Sequence, residues 1–357
     1  MHYVQTNVLP IDALAPAAAS IERAAMLLHN GELVVFPTET VYGLGADALQ
    51  VAAVEQIFIA KGRPFSDPLI VHIAAEDTLA LLTSHVPFQA RLLAEAFWPG
   101  PLTLILPAGP RVPRMITAGL ETVAVRMPRH PVALALIRAL GSPIAAPSAN
   151  RFMHISPTTA QHALADLAGR VPLILDSGPC AVGVESTILD LCAPVPTILR
   201  PGGIGLEALR AIVANVQPPQ RRPHTTSNEA PDEKAQKAPG QLLIHYAPGV
   251  PTYLFEGTVE AMRTAMLTEV RKRQQQGELV GVLIADEDLA TFQESGAFIY
   301  TLGSTLEHIA AHLFAGLRTL EEAGVQIILC RSFEEHGLGL AVRDRLLKAA
   351  GGKVVHV

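Results

Sequence analysis

Long apolar runs are missing from this chain; none approaches the ~20 residues of a membrane-spanning helix, which excludes a helical transmembrane protein. Cysteine is scarce and unpaired in pattern. Cys180, Cys192 and Cys330 form no CxxC, and their odd number suits a reducing compartment rather than a disulfide framework. The N-terminus has no basic stretch leading into an apolar one with a small-residue cleavage site, so no secretory signal is visible and a cytoplasmic location is expected. Aromatics make up only 5%, so cores must be built from Ala, Val, Leu and Ile. Excess positive charge is also absent: 27 Lys+Arg against 33 Asp+Glu gives a formal net charge of −6, which argues against a nucleic-acid coat protein. Phosphate-loop, HExxH, GxSxG and zinc spacings are all missing. His308 and His312 lie four apart on an expected helix, but without a third ligand nearby they read as polar helix positions, and no metal site is assigned.

What is present is a globular chain of 357 residues, 49% hydrophobic and 17% charged. A prior of roughly 150 residues per domain allows two domains. The segment Gln217–Gly240, with repeated Pro and no apolar side chain larger than Ala, reads as a linker. The expected division is 1–216 for a catalytic domain, 217–249 for a linker and lid, and 250–357 for an accessory domain. In the first part, apolar periodicity predicts helices over Ser20–Asn30, Gln50–Ala60, Pro131–Leu140 and Thr158–Ala168. Strands are predicted at Leu33–Phe36, Leu69–Ala74, Leu102–Leu106, Thr122–Met127, Pro143–Ala146, Leu173–Leu175 and Ser186–Leu191. That is mixed α/β, with a large twisted, partly open sheet. In the last part, strands at Thr252–Phe255, Val280–Ala285, Phe298–Thr301 and Val325–Leu329 alternate with helices at Val259–Gln274, Thr305–Ala323 and Leu338–Ala350. Such alternation predicts a smaller Rossmann-like, doubly wound parallel sheet.

Four polar clusters are harder to read as solvated surface. Pro37–Gly45 puts hydroxyls and glycines after a buried strand; the bland reading is a Thr/Gly turn. GlyLeuGlyAlaAspAla at 43–48 fits a loose dinucleotide fingerprint, but it is preceded by ThrGluThr rather than directly by a strand. Lys61-Gly-Arg63-Pro64 would hold two cations at a helix end, suiting a polyphosphate; the alternative is a charged C-cap. Ser148 and Asn150, two apart at a strand end, can face one cleft. Glu185-Ser186-Thr187 and Arg200-Pro-Gly-Gly place polar groups beside apolar strands, while Arg126 within an apolar strand needs a counter-charge from the protein or from an anionic ligand. Together the clusters outline an anion-lined concave face.

At these residues the sequence resembles the YrdC-like threonylcarbamoyl-AMP synthases, in the long form with a C-terminal domain. The likeness rests on PTETVYGLG (37–45), KGRP (61–64), PLIVHI (68–73), TVAVRMP (122–128), PSAN (147–150), SPT (156–158), ESTI (185–188), LRPG (199–202) and HYAP (245–248), in this order. The resemblance implies condensation of L-threonine, bicarbonate and ATP to threonylcarbamoyl-adenylate with release of pyrophosphate. A downstream complex would transfer the threonylcarbamoyl group to tRNA, with weak direct tRNA contact by this chain, and Mg²⁺ would accompany the nucleotide. It implies that Lys61 and Arg63 are the catalytic cations and that they hold ATP with Asp67, Thr122, Ser148, Asn150, Ser156, Arg200 and Tyr246. Thr40, His72, Arg126, Ser186 and the backbone of Ala146 would hold threonine. Asp67 stands where the family usually has Asn, and Arg151–Ile155 replaces a usual Ser-Gly pair. Two other readings compete: an RNA-binding or ribosome-maturation module, and a carbamoyl transferase working through a carbamoyl-adenylate.

Overall fold

The computed structural model describes residues 4–219, 235–240 and 246–357. They fall into two units; the first is built from residues 1–152, 156–181 and 185–241, the second from 153–155, 182–184 and 242–357. Residues 220–234 of the Gln217–Gly240 segment and His245 of the HYAP motif lie outside the described ones. No described helix is long and apolar enough to cross a membrane.

The first unit runs β1 (Asn7–Pro10), α1 (Ala18–His29), β2 (Val34–Phe36), β3 (Gly43–Asp47), α2 (Val51–Lys61), β4 (Ile70–His72), α3 (Leu79–Leu82), α4 (Phe88–Phe97), β5 (Leu102–Pro107) and β6 (Thr122–Arg126). It continues with α5 (Pro131–Leu140), β7 (Ile144–Ala145), α6 (Ala160–Leu167), β8 (Leu173–Asp176), β9 (Thr187–Asp190), β10 (Thr197–Arg200) and α7 (Leu206–Ile212). Ten strands form one sheet of mixed direction, in the order β1-β8-β2-β3-β7-β4-β6-β5-β9-β10. Alternation sets its two faces: Leu33 and Val35 join one apolar cluster, whereas Val34 and Phe36 join another.

The local chemistry of the helix ends is readable. Helix α2 stops at Gly62, which takes the left-handed conformation (φ 66°) that a C-terminal turn requires. Helix α5 starts with Pro131 at its first turn and the His130 ring accepting from the Val132 N–H, and Gly141 (φ 70°) ends it. Thr159 accepts from the His162 N–H and opens α6.

Two differences from the sequence reading matter for the site. Gly43–Asp47 is a strand, not a tight turn: β3 lies between β2 and β7, and a Cβ at Gly45 would come within 2.8 Å of the Phe36 ring. The glycines therefore make room for that ring. The end of the expected linker is also not solvated. Gln236 N–H donates to the Ser66 carbonyl, and Ala238 is fully buried against Ile70, Ile105, Ala124 and Ile188. An apolar strip on the sheet face supplies the burial that composition alone did not suggest.

The second unit contains β11 (Thr252–Glu256), α8 (Val259–Gln275), β12 (Val280–Ile284), α9 (Leu289–Phe292), β13 (Phe298–Thr301), α10 (Leu306–Glu322), β14 (Ile327–Arg331), α11 (Gly339–Ala349) and β15 (Val354–His356). All strand pairs are parallel, in the order β13-β12-β14-β11-β15, as expected for strand–helix alternation. Its core is Phe255, Met266, Val282, Ile284, Phe292 and Leu329 with their neighbours.

Candidate active site

Strand register builds the centre of the site. His72 on β4 and Thr103 on β5 both pair with Arg126 on β6, and Thr103 also pairs with Ile188 on β9. Cross-strand partners share a face, so His72, Arg126, Thr103 and Ile188 form one row. Two residues along the strands, Ile70, Ala124 and Ile105 form an apolar row on the same face.

A rigid turn between β2 and β3 delivers two side chains to this row. Thr38 Oγ1 donates to the Val41 carbonyl at 2.6 Å and accepts the N–H groups of Thr40 and Val41, each at 3.2 Å. Its neighbours then reach Arg126: Nη1 donates to Thr40 Oγ1 at 2.9 Å and Nη2 lies 2.7 Å from Glu39 Oε1, while Nε donates to the Gly100 carbonyl at 3.2 Å. The counter-charge that Arg126 needs is therefore internal. Burial favours the protonated Glu39 carboxyl, but the charge of Arg126 beside it does most to outweigh this and holds the pKa below the usual carboxylate value. His72 is enclosed, and burial first, then Arg126, depresses its pKa to about 3, so the ring is neutral.

Cations gather at the end of α2. Lys61 Nζ donates to the carbonyls of Ser148 and Asn150, both at 2.5 Å, with Asn150 Oδ1 at 3.5 Å. Its pKa is lowered well below the ordinary value by burial, with Arg63 adding repulsion. All three ammonium donors are thus engaged with the PSAN turn. Arg63 donates to the carbonyls of Asp67 (3.1 Å) and Pro68 (2.7 Å), and its Nη2 is 3.0 Å from Asp67 Oδ2. Burial raises the Asp67 pKa against the opposing pull of Arg63, Lys61 and Arg200. The carboxylate that replaces the usual Asn is consequently held by an arginine.

Arg200 is anchored at the entry to β9. Its Nε and Nη2 donate to the Ser186 carbonyl at 3.2 and 3.0 Å, and Nη2 also reaches Ser186 Oγ at 3.1 Å. Ser186 Oγ in turn shares a hydrogen bond of 2.7 Å with Thr103 Oγ1. Gly202 permits this approach, since a Cβ there would stand 2.3 Å from the backbone of Glu185, Ser186 and Thr187. Arg200, Ser186 and Thr103 thus form one hydrogen-bonded chain; Arg200 is close enough for its charge to oppose the burial that raises the Asp67 pKa, and Thr103 stands in the strand row of Arg126.

Among the expected residues, Lys61, Ser148 and Asn150 are brought together, as are Arg63 with Asp67, Arg200 with Ser186, and Thr40 and His72 with Arg126. The Ala146 N–H donates to the Ile70 carbonyl beside them. Ser156 Oγ donates to Glu185 Oε1 at 2.6 Å. Thr122 sits at the far end of β6, about 13 Å from Arg126 at ~3.3 Å per residue. Tyr246 belongs to the second unit, where it is buried against Phe314 (ring centroids 5.5 Å apart) and beneath Arg345 (5.1 Å). Sequence reading missed Glu39, although it is the one carboxylate in PTETVYGLG, and Thr103, a lone hydroxyl in an apolar strand. Burial drives the Cys180 thiol up and Cys192 and Cys330 to about 11 and about 12, so none of the three supplies a thiolate at neutral pH.

A mixed-sheet unit whose strand ends collect buried cations and hydroxyls defines an α/β protein suited to anionic ligands. Residues 26–202 match the family profile described as telomere recombination, and residues 204–351 that described as threonylcarbamoyl-AMP synthase, C-terminal domain. A threonylcarbamoyl-AMP synthase of Pyrococcus abyssi is 44% identical over 94% of this chain and 96% of its own, and one of Bacillus subtilis is 45% identical over 96% of each. The crystal structure of P. abyssi Sua5 complexed with L-threonine superposes with a TM-score of 0.90 at 42% identity, covering 98% of this chain and 99% of that one. The chain belongs to the threonylcarbamoyl-AMP synthase family, in the long form with a second domain.

Proposed function

We propose that the first unit joins L-threonine, bicarbonate and ATP into threonylcarbamoyl-adenylate, with the roles assigned below. Arg126 offers a planar fork for the amino acid's carboxylate, with Thr40, His72, Ser186 and the Ala146 backbone around it. The amine attacks the bicarbonate carbon; one ammonium proton leaves with the departing hydroxide as water, the other goes to solvent, and a carbamate anion remains. A carbamate oxygen then attacks the α-phosphorus, and pyrophosphate departs with the electron pair of the broken P–O bond. Two anions must be aligned, so positioning and electrostatic clamping carry the step. Arg63 and Lys61 offset the phosphate charge, Lys61 exchanging its long contact to Asn150 Oδ1 for a phosphate oxygen. Ser148, Asn150, Ser156, Thr122 and Arg200 complete the nucleotide contacts.

The triphosphate would bring its own Mg²⁺, whose charge would offset that of the phosphates. Among the described residues no group of three or more His, Cys, Asp or Glu side chains is placed to hold a metal, and the nearby carboxylates Asp67 and Glu185 are engaged by Arg63 and Ser156. Transfer of the threonylcarbamoyl group to tRNA falls to a downstream complex in the cytoplasm.

The observation that carries this reading is the gathering of buried cations in the first unit: Arg126 in the strand row of Thr103, Thr103 bonded to Ser186, Ser186 bonded to Arg200, and Arg200, Lys61 and Arg63 all acting on Asp67 by charge. The test is pyrophosphate release from ATP, with threonine and bicarbonate omitted in turn. Release requires both; release without either contradicts the reading.

A further inference from the structure

The buried acidic groups of the first unit are mostly spoken for by the protein itself. Asp47 accepts from the Leu49 N–H and Ser142 Oγ, Asp67 pairs with Arg63, Glu185 accepts from Ser156, and Asp190 accepts from the Cys192 N–H. Glu39 is different. It is 7% exposed, its ionised form is favoured, and its firm partner is Arg126, the cation already engaged by Thr40 and Gly100. The backbone amides of Glu39 and Arg129 face it, yet neither carboxylate oxygen, nor Arg126 Nη2, completes a regular hydrogen bond among the described residues. A carboxylate has about four acceptor positions, so Glu39 retains capacity for another donor.

An α-amino acid is a zwitterion whose two charges sit on neighbouring atoms of one carbon. Burying it requires a cation for the carboxylate and an anion for the ammonium, because either charge left unpaired in a desolvated site is costly. Arg126 and Glu39, in contact at 2.7 Å, present that pair side by side. We propose that Glu39 receives the α-ammonium group of the amino acid whose carboxylate rests on Arg126, and so selects free amino acids over hydroxy acids and N-acylated amino acids. The inference rests on the assignment of Arg126 as the carboxylate anchor. It also gives the site a direction. Glu39 attracts the ammonium of the substrate and repels the carbamate formed on the same nitrogen, favouring movement of that group toward the cations at Lys61 and Arg63.

The test measures binding by calorimetry without nucleotide or bicarbonate. The ligands are L-threonine and 3-hydroxybutanoate, which keeps the carboxylate and hydroxyl but lacks the amine. Glu39→Gln is expected to weaken L-threonine by roughly tenfold to a hundredfold, the range for a charge-assisted hydrogen bond. It leaves 3-hydroxybutanoate unchanged or tighter, since Arg126 loses a competing carboxylate. Glu39→Asp, which keeps the charge, retains the preference for L-threonine. Equal weakening of both ligands by Glu39→Gln, or no change in either, overturns the inference. Arg126→Gln is expected to weaken both; if it weakens neither, or if the wild-type protein does not bind L-threonine, the anchor assignment itself fails and Glu39 falls with it.

Discussion

Arg126 donates to the Gly100 carbonyl and to Thr40 Oγ1 and pairs with the Glu39 carboxylate, so each of its nitrogens has a distinct task. Lysine cannot reproduce that fork with a point charge. Arg126→Lys should therefore weaken L-threonine binding by roughly tenfold or more, as read by calorimetry, with little change in the thermal midpoint. Lys61→Ala removes a buried ammonium that ties the Ser148 and Asn150 carbonyls to α2, so pyrophosphate release should fall by at least about a hundredfold, the cost of losing one preorganised electrostatic contact. His72 gives a pH signature. Its folded pKa of about 3 lies below the ordinary 6.5, so the unfolded chain takes up this proton first. The stabilisation is complete above about pH 6.5 and declines as pH falls toward 3. Urea midpoints at pH 7 and pH 5 should therefore differ less for His72→Gln than for the wild-type protein; an equal difference would contradict a neutral buried imidazole.

At the scale of elements, glycines decide where backbones meet. Gly202 lies against the backbone of residues 185–187, so Gly202→Ala forces Arg200 away from Ser186. It should cost about 1–3 kcal/mol of stability and most of the activity, measured by denaturant unfolding and pyrophosphate release. Gly62 has open space around its Cβ position but a φ of 66°, so Gly62→Ala should cost only about 1 kcal/mol. Much of this layer is readable from the amino acids. Although the single-turn α9 was not expected, the strand at Phe298–Thr301 is found where expected, and α8, α10 and α11 end within a residue of their expected bounds. Such segments obey one period and are closed by polar or Gly residues. Strand β3 was hidden because Gly43 and Gly45 carry no side chains to show alternation. Helix α4 was missed because Phe88, at its start, points to solvent and blurs the apolar stripe. Val325–Leu329 was placed two residues early because Val325 is apolar and buried without belonging to β14.

For the whole molecule, motifs in the sequence located the polar clusters, but the ten-stranded order that brings β4, β6 and β5 side by side depends on long-range pairing that no local pattern encodes. The contact of Glu39 with Arg126 joins residues far apart in the chain and became visible only through that order. The segment 235–240, expected to be solvated, is fixed on the first unit because Ala238 finds an apolar strip there. Lengthening that side chain should disturb the strip, and Ala238→Asp, which buries a carboxylate among Ile70, Ile105 and Ile188, should lower activity more than Ala238→Ser, by steady-state pyrophosphate release.

Attack of a carboxylated amino acid on the α-phosphorus of ATP leaves the bicarbonate carbon in the product. The most direct measurement is the mass of the adenylate formed from ATP, L-threonine and ¹³C-bicarbonate. The prediction is an adenylate that contains threonine and carries the label. An unlabelled threonyl-adenylate, or ADP in place of pyrophosphate release, would contradict it.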